Sequence, residues 1–246
     1  MWKVDKIALF LDVSPNVINQ LKNVLRNGPF EYNGYSSSFE GAFVRFYPYQ
    51  KNAVYLEFNP SKLTQLSFFY WVGKHLTFDR LKRAYISRID LALDKFDKIN
   101  PWDFLNFYFK KTVHISEQGN IETMYFWYSQ ACLVRIYDKG IETGQELPNR
   151  WWRFELQLRG DFFRNRGFQK LDKVKLVKFK KQNLDIDLTR LLKYMEEVLS
   201  GERPLVNSKD FEGVVDVFPK RYRKSNQNTL GELLERFWDR SGSNGD

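Results

Sequence analysis

The sequence predicts an α+β fold: a central antiparallel β-sheet with flanking helices, followed by a helical, basic C-terminal region. Three observations predict it. Several short segments alternate apolar and polar residues, the period of a half-buried strand. Two links between strands, "YQKN" and a Gly-Asn turn, are short hairpin signals, which suits antiparallel pairs rather than crossovers. Helical patterns with start and stop signals separate the strand groups.

In chain order, "KIALFLDV" reads as a first strand. "SPNVINQLKNVLRNG" reads as a helix with Ser14 as cap, Pro15 at its first position and Gly28 beyond its end. "AFVRFYP" and "AVYLEFN" are strands joined by the hairpin link "YQKN". "SKLTQLSFFYWVGKHL", within residues 61–83, is a helical pattern. "AYISRIDLALD" is a strand, and "NPWDFLNFYFKK" a short helix capped at Asn100. "TVHISEQGNIETMYFWYS" reads as two strands around a Gly-Asn turn. "CLVRIYDK" is a strand, followed by the loop "GIETGQELPN" and the strand "RWWRFELQLRG". Beyond residue 161 the pattern becomes helical and rich in Lys and Arg. The expected organisation is an α+β domain over 1–160, a basic helical extension over 161–240, and a disordered tail over 241–246.

Composition narrows the function class. The 246-residue chain carries a formal charge of +9, which favours a polyanionic partner, nucleic acid or an acidic membrane surface. Its aromatic content of 17% is enough for a substantial core. The apolar run "LSFFYWVG" is far shorter than the roughly 18 residues of a spanning helix, so no membrane role is expected. The opening "MWKVDKIALFLD" has acids within its apolar stretch and no small-residue cleavage site, unlike a signal peptide. The single cysteine, Cys132, excludes an internal disulfide and a thiolate zinc cluster. A cytoplasmic protein is the simplest expectation.

Period-two alternation sorts four strands into faces. Tyr55, Glu57 and Asn59 share one side of "VYLEFN"; Arg88, Asp90 and Asp94 share one side of "SRIDLALD". Arg135, Tyr137 and Lys139 share a face of "VRIYDK", and Arg153, Glu155, Gln157 and Arg159 a face of "WRFELQLR". If these strands form one sheet, its polar face gathers Glu57, Asp90 and Glu155 with Tyr137 and several cations. Two readings follow. One is an ion-paired, solvated sheet face. The other is a site for Mg²⁺ or Mn²⁺, whose hard character suits carboxylate oxygens, with a tyrosine positioned to attack a phosphodiester. A free phenol with pKa of about 10 is a weak nucleophile, so a metal, Arg135 and Lys139 would all favour its phenolate.

Five pieces carry a family resemblance: "LEFNPSKLT" (56–64), "SRIDLALD" (87–94), "ETMYF" (122–126), "VRIYDK" (134–139) and "WWRFELQLRGD" (151–161). Together and in order they resemble the Rep_trans group of rolling-circle plasmid replication initiators. Relatives of that group include the MobT relaxases of conjugative elements and the initiators of some filamentous phages. The resemblance implies a nickase and strand transferase. It would cut one strand at an origin through a 5′-phosphotyrosine link, leave a free 3′-OH, and religate by strand transfer. The family tyrosine, in an Arg-Ile-Tyr-(Asn/Asp)-Lys motif, falls on Tyr137, with Arg135 and Lys139 beside it. The family's metal site falls on Asp90, Glu57 and Glu155. Implied partners are double- and single-stranded origin DNA, a host helicase and polymerase, and a second copy of the chain. One departure stands out. Relatives carry Tyr-x-Gly-x-Arg-x-Ser before the catalytic strand, where this chain reads "YFWYSQA", with Trp127 for the glycine and Ser129 for the arginine. A conjugative relaxase with the same chemistry, a non-catalytic DNA-binding regulator and an RNA-binding protein are the alternatives.

Other residues divide between structure and nucleic acid. His75 and His114 belong to no His-x-His motif, so the two-histidine metal site of ordinary relaxases is absent, and both read as structural or surface residues. Of the adjacent Trp151 and Trp152, one belongs to the core and the other near the site. Arg88 and Arg153 are expected to face DNA. In "RNRGFQKLDKVKLVKFKK" the cations Lys175, Lys178, Lys180 and Lys181 suit phosphate tracking. In "FPKRYRKSNQ" Lys220, Arg221 and Arg223 surround Tyr222, apt for stacking on an unpaired base.

Overall fold

Alternating apolar side chains build strands that hide one face, and the computed structural model joins ten of them into one sheet. The described residues are 2–28, 31–34, 36–39, 42–47, 53–59, 76, 80, 83–107, 109–145, 151–164, 176–179, 184–187, 215–217, 233 and 236–237. The strands of this sheet are β1 (Trp2–Asp12), β2 (Glu31–Tyr32), β3 (Ser36–Phe39), β4 (Ala42–Tyr47), β5 (Ala53–Phe58) and β6 (Tyr85–Lys95). They continue with β7 (Lys110–Ile115), β8 (Ile121–Ser129), β9 (Cys132–Asp138) and β10 (Trp152–Arg159). Their spatial order is β2-β3-β4-β5-β1-β6-β10-β9-β8-β7, and every pair is antiparallel. The α+β class is therefore as expected, and β5, β1, β6, β10 and β9 are all interior strands.

The apolar face is the core. Leu9, Leu56, Leu91, Phe154, Leu156 and Ile136 are fully buried on neighbouring strands. Helix α1 (Pro15–Asn27) adds Val17, Leu21 and Leu25, which recur at helical spacing, to the same cluster. Pro15 starts this helix as expected, and Gly28 follows it in an extended conformation. Asn100 caps a 3₁₀ turn at Pro101–Phe104, shorter than the expected helix; its side chain accepts from the Trp102 N–H. Two short helices follow along the chain, α2 (Lys139–Thr143) and α3 (Gly160–Arg164); Phe162 and Phe163 of α3 join this core, as do Leu233 and Phe237. Trp152 is buried here too, whereas Trp151 stacks on Phe96 with ring centroids 5.4 Å apart.

Three local readings change. The Glu31–Phe39 hairpin (β2–β3), turned by Asn33 and a left-handed Gly34, was not expected. The β7–β8 turn contains the expected Gly119-Asn120 but is longer than that pair: the Ser116 N–H donates to the Asn120 carbonyl at 2.8 Å, with Gly119, φ 81°, in the left-handed conformation between them. Part of the expected helical C-terminal region is extended. Leu176–Phe179 (β11), Leu184–Asp187 (β12) and Val215–Val217 (β13) form a second antiparallel sheet. Each of these segments is only three or four residues long, too short to show a period. The helix expected within 61–83 lies almost wholly outside the described residues, as does the 241–246 tail. Among the described residues, no helix is long and apolar enough to cross a membrane, which says nothing of a β-barrel.

Phe237 ties the distal chain to the sheet: its ring meets Phe154 at 5.6 Å and its carbonyl accepts from the buried Lys95 ammonium at 2.9 Å. Phe237→Ala should lower unfolding free energy by about 3–5 kcal/mol through cavity formation, measured by urea denaturation; a loss below about 1 kcal/mol would show that the contact adds little.

Candidate active site

Two register breaks shape the polar face. On β1, Val4 and Ile7 both reach the core although three residues apart, because Asp5 is an extra residue opposite β6. On β6, Ile86 and Ile89 do the same around Ser87. Lys6 and Asp5 are both delivered to the polar side as a result. The Lys6 ammonium meets Glu57 at 2.7 Å, and Asp5 meets Arg153 at 2.9 Å.

The face is ion-paired, as one of the two readings expected, but its middle is not solvated. Asp90, Tyr137, Glu155 and Arg153 are 1–4% exposed. Arg88 donates to Asp90 through two bonds of 2.7 and 2.5 Å. Arg135 donates to Glu155 Oε2 at 2.8 Å. Arg153 donates to both oxygens of Asp94 at 2.6 and 3.0 Å. Tyr55 donates to Glu57 at 2.6 Å. Arg153, expected at the DNA, is thus a buried crosspiece between Asp94 and Asp5.

Tyr137 sits where β9 gives way to α2 (Lys139–Thr143). Asp138 caps that turn by accepting from the Ile141 N–H at 3.1 Å, and Gly144, φ 66°, ends it. Lys139 is therefore not a strand residue on the Tyr137 face, as alternation suggested; it starts a helix. The helical turn still sets its ammonium 5.6 Å from the Tyr137 ring centroid, and it pairs with Glu142. The Arg135 guanidinium lies 3.9 Å over the same ring and also reaches Glu142 at 3.6 Å. Its Nε–H is buried and has no partner among the described residues. The phenol donates to Glu155 Oε2 at 3.4 Å, a long bond.

One cleft of about 560 Å³ is lined by Glu57, Arg88, Asp90, Arg135, Tyr137, Lys139 and Glu155. The structure thus brings together seven of the expected site residues. It also adds Lys6, Asp5 and Glu142, which sequence reasoning missed. The interrupted apolar period at Val4–Ile7 and the Lys139–Glu142 spacing are the signals that could have found them. Lys178 lies in β11, whose side chains are not described; Lys175, Lys180, Lys181, Lys220, Arg221 and Arg223 lie outside the described residues. His114 packs edge-on against Tyr125 at 5.5 Å, a structural contact. Trp127, the departure from the family pattern, carries the Arg159 guanidinium 5.2 Å from its ring centroid.

Titration follows from this packing. Burial pushes Asp90 up to about 6, with the Glu155 charge adding to it and Arg88 opposing. Burial also acts upward on Glu57, but hydrogen bonds from Lys6 and Tyr55 outweigh it and hold that carboxyl below its usual range. Burial and then Glu155 raise the Tyr137 phenol, outweighing Arg153 and Arg135, so it stays protonated at neutral pH. The carboxylates have the right donor chemistry for Mg²⁺ or Mn²⁺. Their arrangement is another matter. Glu57, Asp90 and Glu155 each already hold a cation, and among the described residues no three His, Cys, Asp or Glu side chains are grouped to hold a metal.

No family model and no curated protein matches the chain. Among solved structures, a rolling circle replication initiator protein from Geobacillus stearothermophilus is similar at a TM-score of 0.44 and 18% identity, over 96% of this chain and 95% of the other. Methanococcus jannaschii TBP is similar at 0.38 and 11%, over 80% of this chain and 99% of the other.

The folded pKa of Asp90 lies above its unfolded value, so the folded state takes up a proton between about pH 4 and 6. That contribution to stability is full below pH 4 and is lost as pH rises through 6. Relative to Asp90→Asn, the wild type should lose about 1–3 kcal/mol across this window. Denaturant unfolding of both proteins from pH 4 to 7 measures it; parallel curves would show that Asp90 titrates normally.

Proposed function

We propose that the chain is a DNA nickase and strand transferase of the rolling-circle initiator type, with Tyr137 as nucleophile. The observation that carries this reading is the setting of Tyr137: a buried phenol on an interior strand, hydrogen-bonded to Glu155 and flanked by Arg135 and Lys139. Five motifs in family order support it.

In this reading a phosphodiester enters the cleft with its oxygens toward Arg135 and Lys139. The Arg135 Nε–H, without a partner among the described residues, is a donor an anion would satisfy. Glu155 Oε2 accepts the phenolic proton as Tyr137 Oη bonds to phosphorus. The bond from phosphorus to the 3′-oxygen breaks, that oxygen takes up a proton, and the 5′-phosphate stays on the tyrosine. Reversal by another 3′-OH transfers the strand. The family resemblance assigns Mg²⁺ or Mn²⁺ to Glu57, Asp90 and Glu155; to hold the ion, which would polarise the phosphate, each would have to give up its Lys6, Arg88 or Arg135 partner. Placing Glu155 on the phenol makes Glu57 and Asp90 the principal candidates for that role. Origin DNA, a host helicase and polymerase, and a second copy of the chain are the partners this reading assigns. The same chemistry would serve a conjugative relaxase.

Supercoiled plasmid carrying the DNA that flanks the coding sequence should be nicked with Mn²⁺. It should retain protein at the 5′ end after denaturation. Tyr137→Phe should abolish both, a loss of at least about 10³-fold, while duplex binding stays within about threefold. A persistent adduct in the variant would assign the chemistry elsewhere; full activity in EDTA would remove the metal from the scheme.

A further inference from the structure

Beside the Tyr137 cleft lies a second cleft of about 560 Å³, bordered on one side by the shared Arg88. Its walls come from β1, β5, β6, β10 and α3, and include Phe10, Tyr55, Tyr85, Gln157 and Arg159. Its volume lies in the range of about 300–1,000 Å³ typical of small-ligand pockets. The chemistry of the walls is specific. Tyr85 is 40% exposed at the rim, presenting an aromatic surface to solvent. Phe10 and Tyr55 form a tilted pair at 5.1 Å, and the Tyr55 ring is pinned by its bond to Glu57. Gln157 is 8% exposed and accepts from Arg159 Nε at 3.0 Å. Because arginine only donates, this bond fixes which end of the amide is oxygen, and Gln157 offers a ligand its N–H groups. Arg159 is itself set on the Trp127 ring, the residue that replaces a family glycine.

We propose that this second cleft is a subsite for one unpaired nucleotide of single-stranded DNA next to the scissile phosphate. The base stacks on Tyr85, an acceptor on its edge meets the Gln157 amide, and the neighbouring phosphates face Arg88 and Arg159. Three wall residues are held before binding: Arg88 by Asp90, Gln157 by Arg159, Tyr55 by Glu57. The pocket therefore loses little freedom on binding, which favours affinity. It rests on the nickase reading only for its position relative to the cut, not for its chemistry.

The test uses fluorescein-labelled (dT)₆ in EDTA, so that no cutting intervenes, with an abasic site moved along the oligomer. At one position the abasic site should weaken wild-type binding about tenfold. Tyr85→Ala should weaken the intact oligomer by about the same factor and abolish the abasic effect at that position. Tyr85→Phe, which keeps the ring, should bind within about twofold of wild type, and thermal melting confirms that both variants fold. Wild-type affinity in Tyr85→Ala, or an abasic loss undiminished in it, would overturn the subsite. A parallel adduct assay separates the two readings. Lost stacking in Tyr85→Ala with no wild-type adduct leaves the subsite standing and removes the nickase. An adduct with unimpaired Tyr85→Ala binding removes the subsite alone.

Discussion

Arg135 holds the site together. Its guanidinium donates to Glu155 at 2.8 Å, reaches Glu142 on the adjoining helical turn, and covers the Tyr137 ring at 3.9 Å. Glu155 is 3% exposed, and a carboxylate that buried on an interior strand survives only with a donor at hydrogen-bond distance. The same rule runs along the sheet. Asp90 is kept by Arg88, Asp94 by Arg153 and Lys3, and Glu57 by Lys6 and Tyr55. Removing one partner from such a pair leaves a buried charge uncompensated, so the network is rigid as a unit.

That rigidity has a chemical consequence. The network keeps Tyr137 neutral, because burial and then the nearest carboxylate, Glu155, oppose a phenolate more than the two arginines favour it. The tyrosine is positioned but not activated. Under the proposed nickase reading, an entering phosphate would draw on Arg135 and Lys139, which in the free protein also hold Glu142, and would leave Glu155 free to accept a proton. In that reading reactivity is coupled to substrate.

Much of this was legible in the sequence, for a physical reason. A sheet with one buried face must alternate, so "VYLEF", "SRIDLALD" and "WRFELQLR" disclosed which side chains meet, and register confirmed them: Glu155 lies opposite Arg135, and Tyr137 opposite Arg153. The failures came where alternation stops. At Asp5 and Ser87 an extra residue shifts the face, so Lys6 and Asp5 escaped notice. At Lys139 the period appeared to continue, but Asp138 caps a turn and Gly144 closes it, signals that outrank alternation over so short a span. The Asn33-Gly34 hairpin carried a recognisable turn pair, but its strands are too short to show a period. The charge network itself was not legible, since a polar face pattern does not say whether carboxylates gather around a metal or pair with arginines.

The titration of Tyr137 tests this account most directly. With ¹³Cζ-labelled tyrosine, its ring signal should stay in the phenol position through pH 10 in the free protein. In Glu155→Gln the midpoint should move down, because one of the charges opposing the phenolate is gone. A phenolate signal at neutral pH, or a midpoint indifferent to Glu155, would contradict the claim that burial and the Glu155 charge together hold the tyrosine neutral.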